Sequence, residues 1–246
     1  VDTGERPNDE DLPVDDTPPV VISLLVPTRS RPQQVSELWS SAQEHASRPD
    51  EVELVLYIDD DDPNPVDASN LLGRVQVVYG ERIVLSEMWN ECWRRALGDI
   101  FMHCGDDIRF RTSMWDLEVR NAFDRYPDGI VFVHGDDGYW GDKLGTHGFL
   151  SRRWTEVVGT FCPPYFSSDY NDAWFTDVAR ELGRKVYLPN VVTEHMHPAF
   201  GKGELDQTHR DRLERGQRDN VDQLYVELAP EREEWVRLLR AVLSVP

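Results

Sequence analysis

Apolar positions along this chain fall into two patterns, short unbroken runs and longer stretches in which they recur every three or four residues. Val20 to Val26 is an unbroken β-branched and leucine-rich run that stops at Pro27, the pattern of a central parallel strand buried on both faces. Val52 to Ile58 repeats it, and Val75 to Tyr79 predicts a third strand. Between these runs, Gln33 to His45 carries Val35, Leu38, Trp39 and Ala42 at helical spacing, and Ser86 to Leu97 carries Met88, Cys92, Trp93 and Ala96. The run from Ile100 to Ile108 is too short for a free-standing helix and meets a glycine and two adjacent carboxylates, Gly105-Asp106-Asp107, so it predicts a buried strand delivering acids to its C-terminal edge. A helix over Ser113 to Tyr126, a strand over Gly129 to His134, a helix through Ala173, Phe175, Val178 and Leu182 stopped by Gly183, and a strand over Lys185 to Leu188 complete the alternation. The pattern predicts an α/β fold with a mostly parallel sheet flanked by helices.

The ends of the chain read differently. Residues 1–19 hold many acids and prolines and almost no large apolar side chains, which predicts a disordered acidic tail. From Glu204 the chain is charged and helical, over Glu204 to Leu228 and then Pro230 to Leu243, which predicts a C-terminal helical appendage (204–246) on a main domain of 20–203. With 46 acids against 26 bases the net charge is −20, a field that repels polyanions unless a local basic patch overrides it. Cys92, Cys104 and Cys162 are too widely spaced for a zinc site or a disulfide framework, so reduced structural thiols and a cytoplasmic setting are expected. No apolar run approaches the ~20 residues needed to cross a bilayer, and no secretion signal is read, so a soluble protein is expected.

Candidate chemistry gathers at the predicted strand ends. Paired acids such as Asp106-Asp107 suit a divalent cation, because ligands of open α/β sheets collect outside the carboxyl ends of the strands. A capped turn is the competing reading. Pro27-Thr28-Arg29-Ser30-Arg31 precedes a helix start and suits a phosphate or a base edge. Asp59 and Asp60 open a run of four carboxylates, tolerated in a solvated loop or beside a cation or a donor-rich ligand. Asp136-Asp137, flanked by glycines, reads as a turn. Tyr139, Trp140, Thr146, His147, Phe149 and Trp154 suggest a lid or acceptor wall that could stack on a sugar or base. Asp169 and Asp172 stand where the next helix opens. His195 and His197, one residue apart, share a face of an extended segment beside acids, which suits metal ligation.

In this order, the motifs resemble the GT-A-fold glycosyltransferases, and within them the family-two inverting nucleotide-sugar transferases. The resemblance spans about residues 20–198 and rests on Ile22 to Thr28 with Arg31-Pro32, on Ile58-Asp59-Asp60, on Ser86 to Asn90 with Ala96, Gly98 and Asp99, on Gly105-Asp106-Asp107, and on Asn171-Asp172 with Glu194 to Pro198. It implies a nucleotide-sugar site at Pro27, Thr28, Arg29, Arg31, Asp59, Asp60, Ser86, Asn90 and Asp106. It implies Mn²⁺ or Mg²⁺ at Asp107 with His195, favoured over His197, and a general base at Asp172, with Asp169 as the alternative. Two positions depart from the family pattern: Gly105 replaces the first aspartate of the Asp-x-Asp motif, and Asn171 replaces a glutamate.

The implied activity is metal-dependent transfer of a sugar, with inversion, from a UDP- or GDP-linked donor to an acceptor hydroxyl. The acceptor could be a small molecule, a protein or a hydroxylated DNA base, and no membrane partner is implied. The rivals are a non-catalytic GT-A-fold binding module, which the two departures favour, and a sugar nucleotidyltransferase, which the lack of glycine in the loop after the first strand disfavours.

Overall fold

The computed structural model describes residues 21–243, so the expected acidic tail over 1–19 lies outside the described residues. Strands β1 (Ile22–Thr28), β2 (Val52–Asp59), β3 (Arg74–Gly80) and β4 (Ile100–His103) form a parallel array in which β1 pairs with both β2 and β4. Helices α1 (Pro32–His45) and α2 (Leu85–Arg95) make two of the crossovers. The first two strands are almost wholly buried, as unbroken apolar runs require.

The other half of the sheet holds β5 (Ile108–Phe110), β6 (Phe132–Asp136), β7 (Gly148–Ser151) and β8 (Lys185–His195). The order is β3-β2-β1-β4-β7-β6-β8-β5. β7 runs antiparallel to β4 and β6, and β5 antiparallel to β8, while β6 and β8 are parallel to each other. The mostly parallel expectation therefore holds within a mixed sheet: β1, β2, β3, β4, β6 and β8 point one way, and their C-terminal ends open on one edge.

Helix α3 (Trp115–Phe123) packs on one face, with Val35, Leu38, Trp39 and Trp115 in the same core cluster. On the other face lie α4 (Arg152–Val158), α5 (Asn171–Leu182) and α8 (Ala229–Arg240), with Trp154, Trp174, Phe175 and Trp235 in a second cluster. The three cysteines are free and buried. No helix among the described residues is long and apolar enough to cross a membrane.

Three details differ from the sequence pattern. The strand expected to reach Ile108 ends at His103, because Cys104 to Asp107 leave the sheet before β5 begins. β7 and α4 were not foreseen, since Gly148-Phe149-Leu150-Ser151 is too short for a period to register. The helix expected over Glu204 to Leu228 divides into α6 (Gln207–Arg218) and α7 (Val221–Glu227) at Asn220, whose φ of 47° an asparagine tolerates better than most residues. The predicted appendage also reaches the main domain's strand edge: Asp206, just ahead of α6, bonds to Arg31 at 2.7 Å.

Candidate active site

A cavity of about 650 Å³ opens at the C-terminal ends of the strands, where loops after β1, β2, β4, β6 and β8 meet α5 and α6. Sheet register assembles its centre. In the β5–β8 pair, Ile108 lies opposite His195, and the Met196 N–H donates to the Asp107 carbonyl at 2.8 Å. His195 Nε2 thereby stands 3.3 Å from an Asp107 carboxylate oxygen. β7 runs back along β4 and carries His147, immediately before its first residue, toward the same point. Ligand atoms of Asp107, His147 and His195 all lie within 4.8 Å of one another.

This donor set fits a divalent cation. Burial, with His195 beside it, keeps His147 neutral well below the usual imidazole range, and neither ring nitrogen has a partner. Burial opposes charge on Asp107, but the imidazoles of His195 and His209 outweigh it and hold the carboxyl well below the usual carboxylate range. Gly105 makes room for this arrangement: a Cβ there would stand 2.8 Å from Asp107 Oδ1 and 3.3 Å from His147 Cε1. A carboxylate with two imidazoles is a mixed oxygen and nitrogen donor set, which suits a first-row transition-metal ion better than a cation that prefers all-oxygen coordination.

Asp106 is committed differently from its neighbour. It accepts from Thr28 Oγ1 at 2.8 Å and from Arg31 Nη1 at 2.7 Å. Arg31 continues to Asp206 through Nε at 2.7 Å and Nη2 at 2.8 Å, and meets the His209 ring at 2.8 Å. The first loop, the acid pair and the start of α6 thus form one buried ionic network.

Further along the edge, Arg29 donates to Asp59 at 2.9 Å and to Asp61 at 2.5 Å, and Arg82 Nε stands 3.7 Å from Asp59. Asp59 Oδ1 is buried with no partner, an acceptor left over for a ligand. Pro27, Thr28, Arg29, Arg31, Asp59, Asp106, Asp107, Asp169, Asp172, His195 and His197 all line the cavity. Asp60 is exposed and is not part of the cavity lining. Ser86 and Asn90 lie fully buried behind it. Ser86 Oγ stands 2.9 Å from Asn171 Oδ1 and 3.0 Å from the Phe166 carbonyl, and Asn90 is bonded to the Cys162 backbone in both directions.

Asp172 opens α5, its carboxylate receiving the Ala173 N–H at 2.8 Å. Burial, with Asp169 adding repulsion, raises its pKa to about 6. Asp169 is ion-paired with Arg212 at 2.5 Å. His197 caps the turn Pro198–Phe200 by accepting the Ala199 N–H at 3.1 Å, so His195 and not His197 joins the Asp107 cluster. Sequence reading missed His147 as a candidate ligand, Asp206 and His209. His147 precedes a strand without a pattern, and the other two lie in a charged helical stretch whose contact with Arg31 spans 175 or more positions.

No protein-family model matches the chain, and no curated protein matches it. Solved structures do match. GalNAc-T7 with UDP, GalNAc and Mn²⁺ superposes with a TM-score of 0.58 at 12% identity, over 74% of this chain and 45% of that one. The mannosyltransferase PcManGT from Pyrobaculum calidifontis, in complex with GDP-Man and Mn²⁺, gives 0.56 at 14% identity over 92% and 76%. Staphylococcus aureus TarS 1-349 in complex with UDP gives 0.55 at 15% identity over 71% and 59%. The fold is that of the GT-A glycosyltransferases. Only part of some neighbours is spanned, 59% of TarS 1-349 and 36% of the longer TarS chain. Within the GT-A fold, the acids after β4 and the histidine ending β8 meet through the β5–β8 register, whose residues are far apart in sequence.

Proposed function

We propose that the protein is a metal-dependent glycosyltransferase that moves a sugar from a nucleoside-diphosphate donor to an acceptor hydroxyl with inversion. The observation that carries this reading is the union, in one cavity, of the Asp107–His147–His195 cluster with the half-buried, cavity-lining carboxylate of Asp172. Neighbours of the same fold hold UDP, UDP-GlcNAc and GDP-Man, two of them with Mn²⁺, which supports a UDP- or GDP-linked donor.

Asp107, His147 and His195 would hold the cation, and the Mn²⁺ present in two neighbours of the same fold supports that ion. Held there, a divalent cation would supply positive charge to the diphosphate and stabilise it as a leaving group. Arg29 and Arg82 flank Asp59 on the β2 side, and the unpartnered Asp59 Oδ1 offers an acceptor to a base N–H. Asp106, clamped by Thr28 and Arg31, fixes the backbone on which Asp107 sits.

Asp172 is the base. A pKa raised to about 6 leaves it mostly ionised at neutral pH yet basic enough to take a proton. As the acceptor oxygen attacks the anomeric carbon, its O–H bond breaks and the proton passes to the Asp172 carboxylate. The new C–O bond forms while the bond from anomeric carbon to phosphate oxygen breaks, and that electron pair leaves with the diphosphate. Asp169 is less suited, being neutralised by Arg212.

The two departures that favoured a non-catalytic module have structural explanations. Gly105 removes a clash with Asp107, and Asn171 is bonded to Ser86, which lies behind the cavity wall. The deciding experiment is turnover of UDP- and GDP-sugars with Mn²⁺, with the anomeric configuration of the product read by NMR. Release of nucleoside diphosphate with an inverted product is expected from the wild type and not from Asp172→Asn. Retention of configuration, or equal turnover by that variant, would overturn the assignment.

A further inference from the structure

The basic side chains that line the cavity gather on one side of it. Among the described residues that line it, the arginines are Arg29 and Arg31 after β1, Arg82 after β3, and Arg212 and Arg215 on α6. The far side, after β6 and β8, contributes Trp140, Leu144, Thr146, Ala199 and Phe200 and no lysine or arginine. β1 and β3 stand on one side of β4 in the sheet, and β6 and β8 on the other. Near the far side, Lys202 pairs with Glu194 at 2.9 Å and Lys185 with Asp142, and the exposed Lys143 is outside the lining.

The aromatic side chains there are exposed, and their display is built rather than accidental. Tyr139 is 59% exposed and Trp140 40%. Both backbone N–H groups donate to the buried Asp137 carboxylate, at 2.9 and 2.7 Å, and its other oxygen accepts from Thr146 at 3.0 Å. The turn that the sequence predicted at Asp136-Asp137 is therefore also the anchor of this loop. Tyr139 stacks on Phe200 with ring centroids 3.9 Å apart and planes 17° off parallel, and Phe200 lies 5.5 Å from the His195 ring. A second observation concerns polar groups near the proposed base. Ser168 Oγ and Asn171 Nδ2 are buried without partners, and both residues line the cavity beside Asp172.

We infer that this aromatic end is the acceptor subsite and that it takes a neutral glycoside, a pyranose ring stacked on Trp140 and the Tyr139–Phe200 pair with a hydroxyl presented to Asp172. A sugar ring offers an apolar C–H face to aromatic rings and several hydroxyls at its edge, which matches both the rings and the unpaired Ser168 and Asn171 groups. A polyanion such as hydroxylated DNA would meet a face with no free arginine, on a protein of net charge −20. The inference rests on the transferase reading for its chemistry, but the binding it requires is measurable without turnover.

The experiment is saturation-transfer NMR of methyl glucoside, galactoside, mannoside, xyloside and N-acetylglucosaminide. Each is tested with wild type and with Trp140→Ala in the presence of Mn²⁺ and UDP or GDP, beside a hydroxymethylcytosine duplex as the anionic arm. Nucleotide binding is read separately by thermal shift. Saturation of at least one glycoside through its C–H face is expected, lost or weakened about tenfold in Trp140→Ala, whose nucleotide shift stays intact. Binding of none of the glycosides, binding indifferent to Trp140, or preferential binding of the duplex would overturn the inference. Failure of nucleotides to bind would instead count against the donor reading.

Discussion

Arg31 donates to Asp106 at 2.7 Å, and by doing so it divides two adjacent carboxylates into different jobs. Asp106 is used up by Arg31 and Thr28, while Asp107 turns toward His195. Asp106, at the middle position of the motif, is thus a structural clamp, and Asp107 is left facing the imidazoles of His147 and His195.

Removing the clamp should cost stability rather than only activity. Both partners are buried, with side-chain exposures of 7% and 6%. Arg31→Met leaves Asp106, and in part Asp206, without its countercharge, so a loss of about 3–5 kcal/mol is expected. Urea unfolding at neutral pH checks this, and a smaller loss is expected from Arg31→Lys, which keeps the charge but not the fork.

Gly105 is predicted to be intolerant of even a methyl group for reasons of ligand geometry. Gly105→Ala must displace the Asp107 carboxylate or His147, since the added carbon meets Asp107 Oδ1 at 2.8 Å. Mn²⁺ affinity by isothermal titration should fall on the order of tenfold or more, with the circular-dichroism spectrum unchanged.

Ser86 ties α2 to the segment that carries Asp172. Ser86→Ala leaves the buried Asn171 and Phe166 groups short of a partner, so a destabilisation of about 1–3 kcal/mol is expected. Because Asn171 adjoins Asp172, kcat should fall more than donor affinity. Equal losses in both would separate Ser86 from the placement of the base.

Much of this was legible in the sequence. The buried strands β1, β2 and β4, the half-buried edge strand β3, and helices α1 and α2 follow from apolar runs or helically spaced apolar positions, and the acids at strand ends follow from where those runs stop. The antiparallel β5 and β7 were not legible, being three and four residues long and defined by pairing with distant strands. His147 and His209 were hidden for the same reason. Each reaches the site through tertiary contact, and neither sits in a local pattern that marks a ligand.

The titration of Asp172 gives a stability prediction with a definite sign. Its folded pKa of about 6 lies above the model-compound value of 3.8, so folding favours the protonated form. That contribution is complete below about pH 4 and disappears as pH rises through 6. In chelator, Asp172→Asn should therefore match the wild type near pH 4 and exceed it on the order of 1–3 kcal/mol near pH 8, read from denaturant midpoints. The same carboxylate gives a transfer rate that falls as pH drops through 6, or lower once a cation shares the cavity.

The most direct test of the central claim is the thermal midpoint of the purified protein with UDP- and GDP-sugars, each with Mn²⁺ or with chelator. Ligand at a hundred times its dissociation constant stabilises the native state by about 2.7 kcal/mol, enough to move the midpoint by several degrees. A shift that needs both a nucleotide-sugar and Mn²⁺, and that disappears in Asp107→Ala, is the predicted result. A midpoint unmoved by every donor, or moved equally in chelator and in Asp107→Ala, would contradict the account.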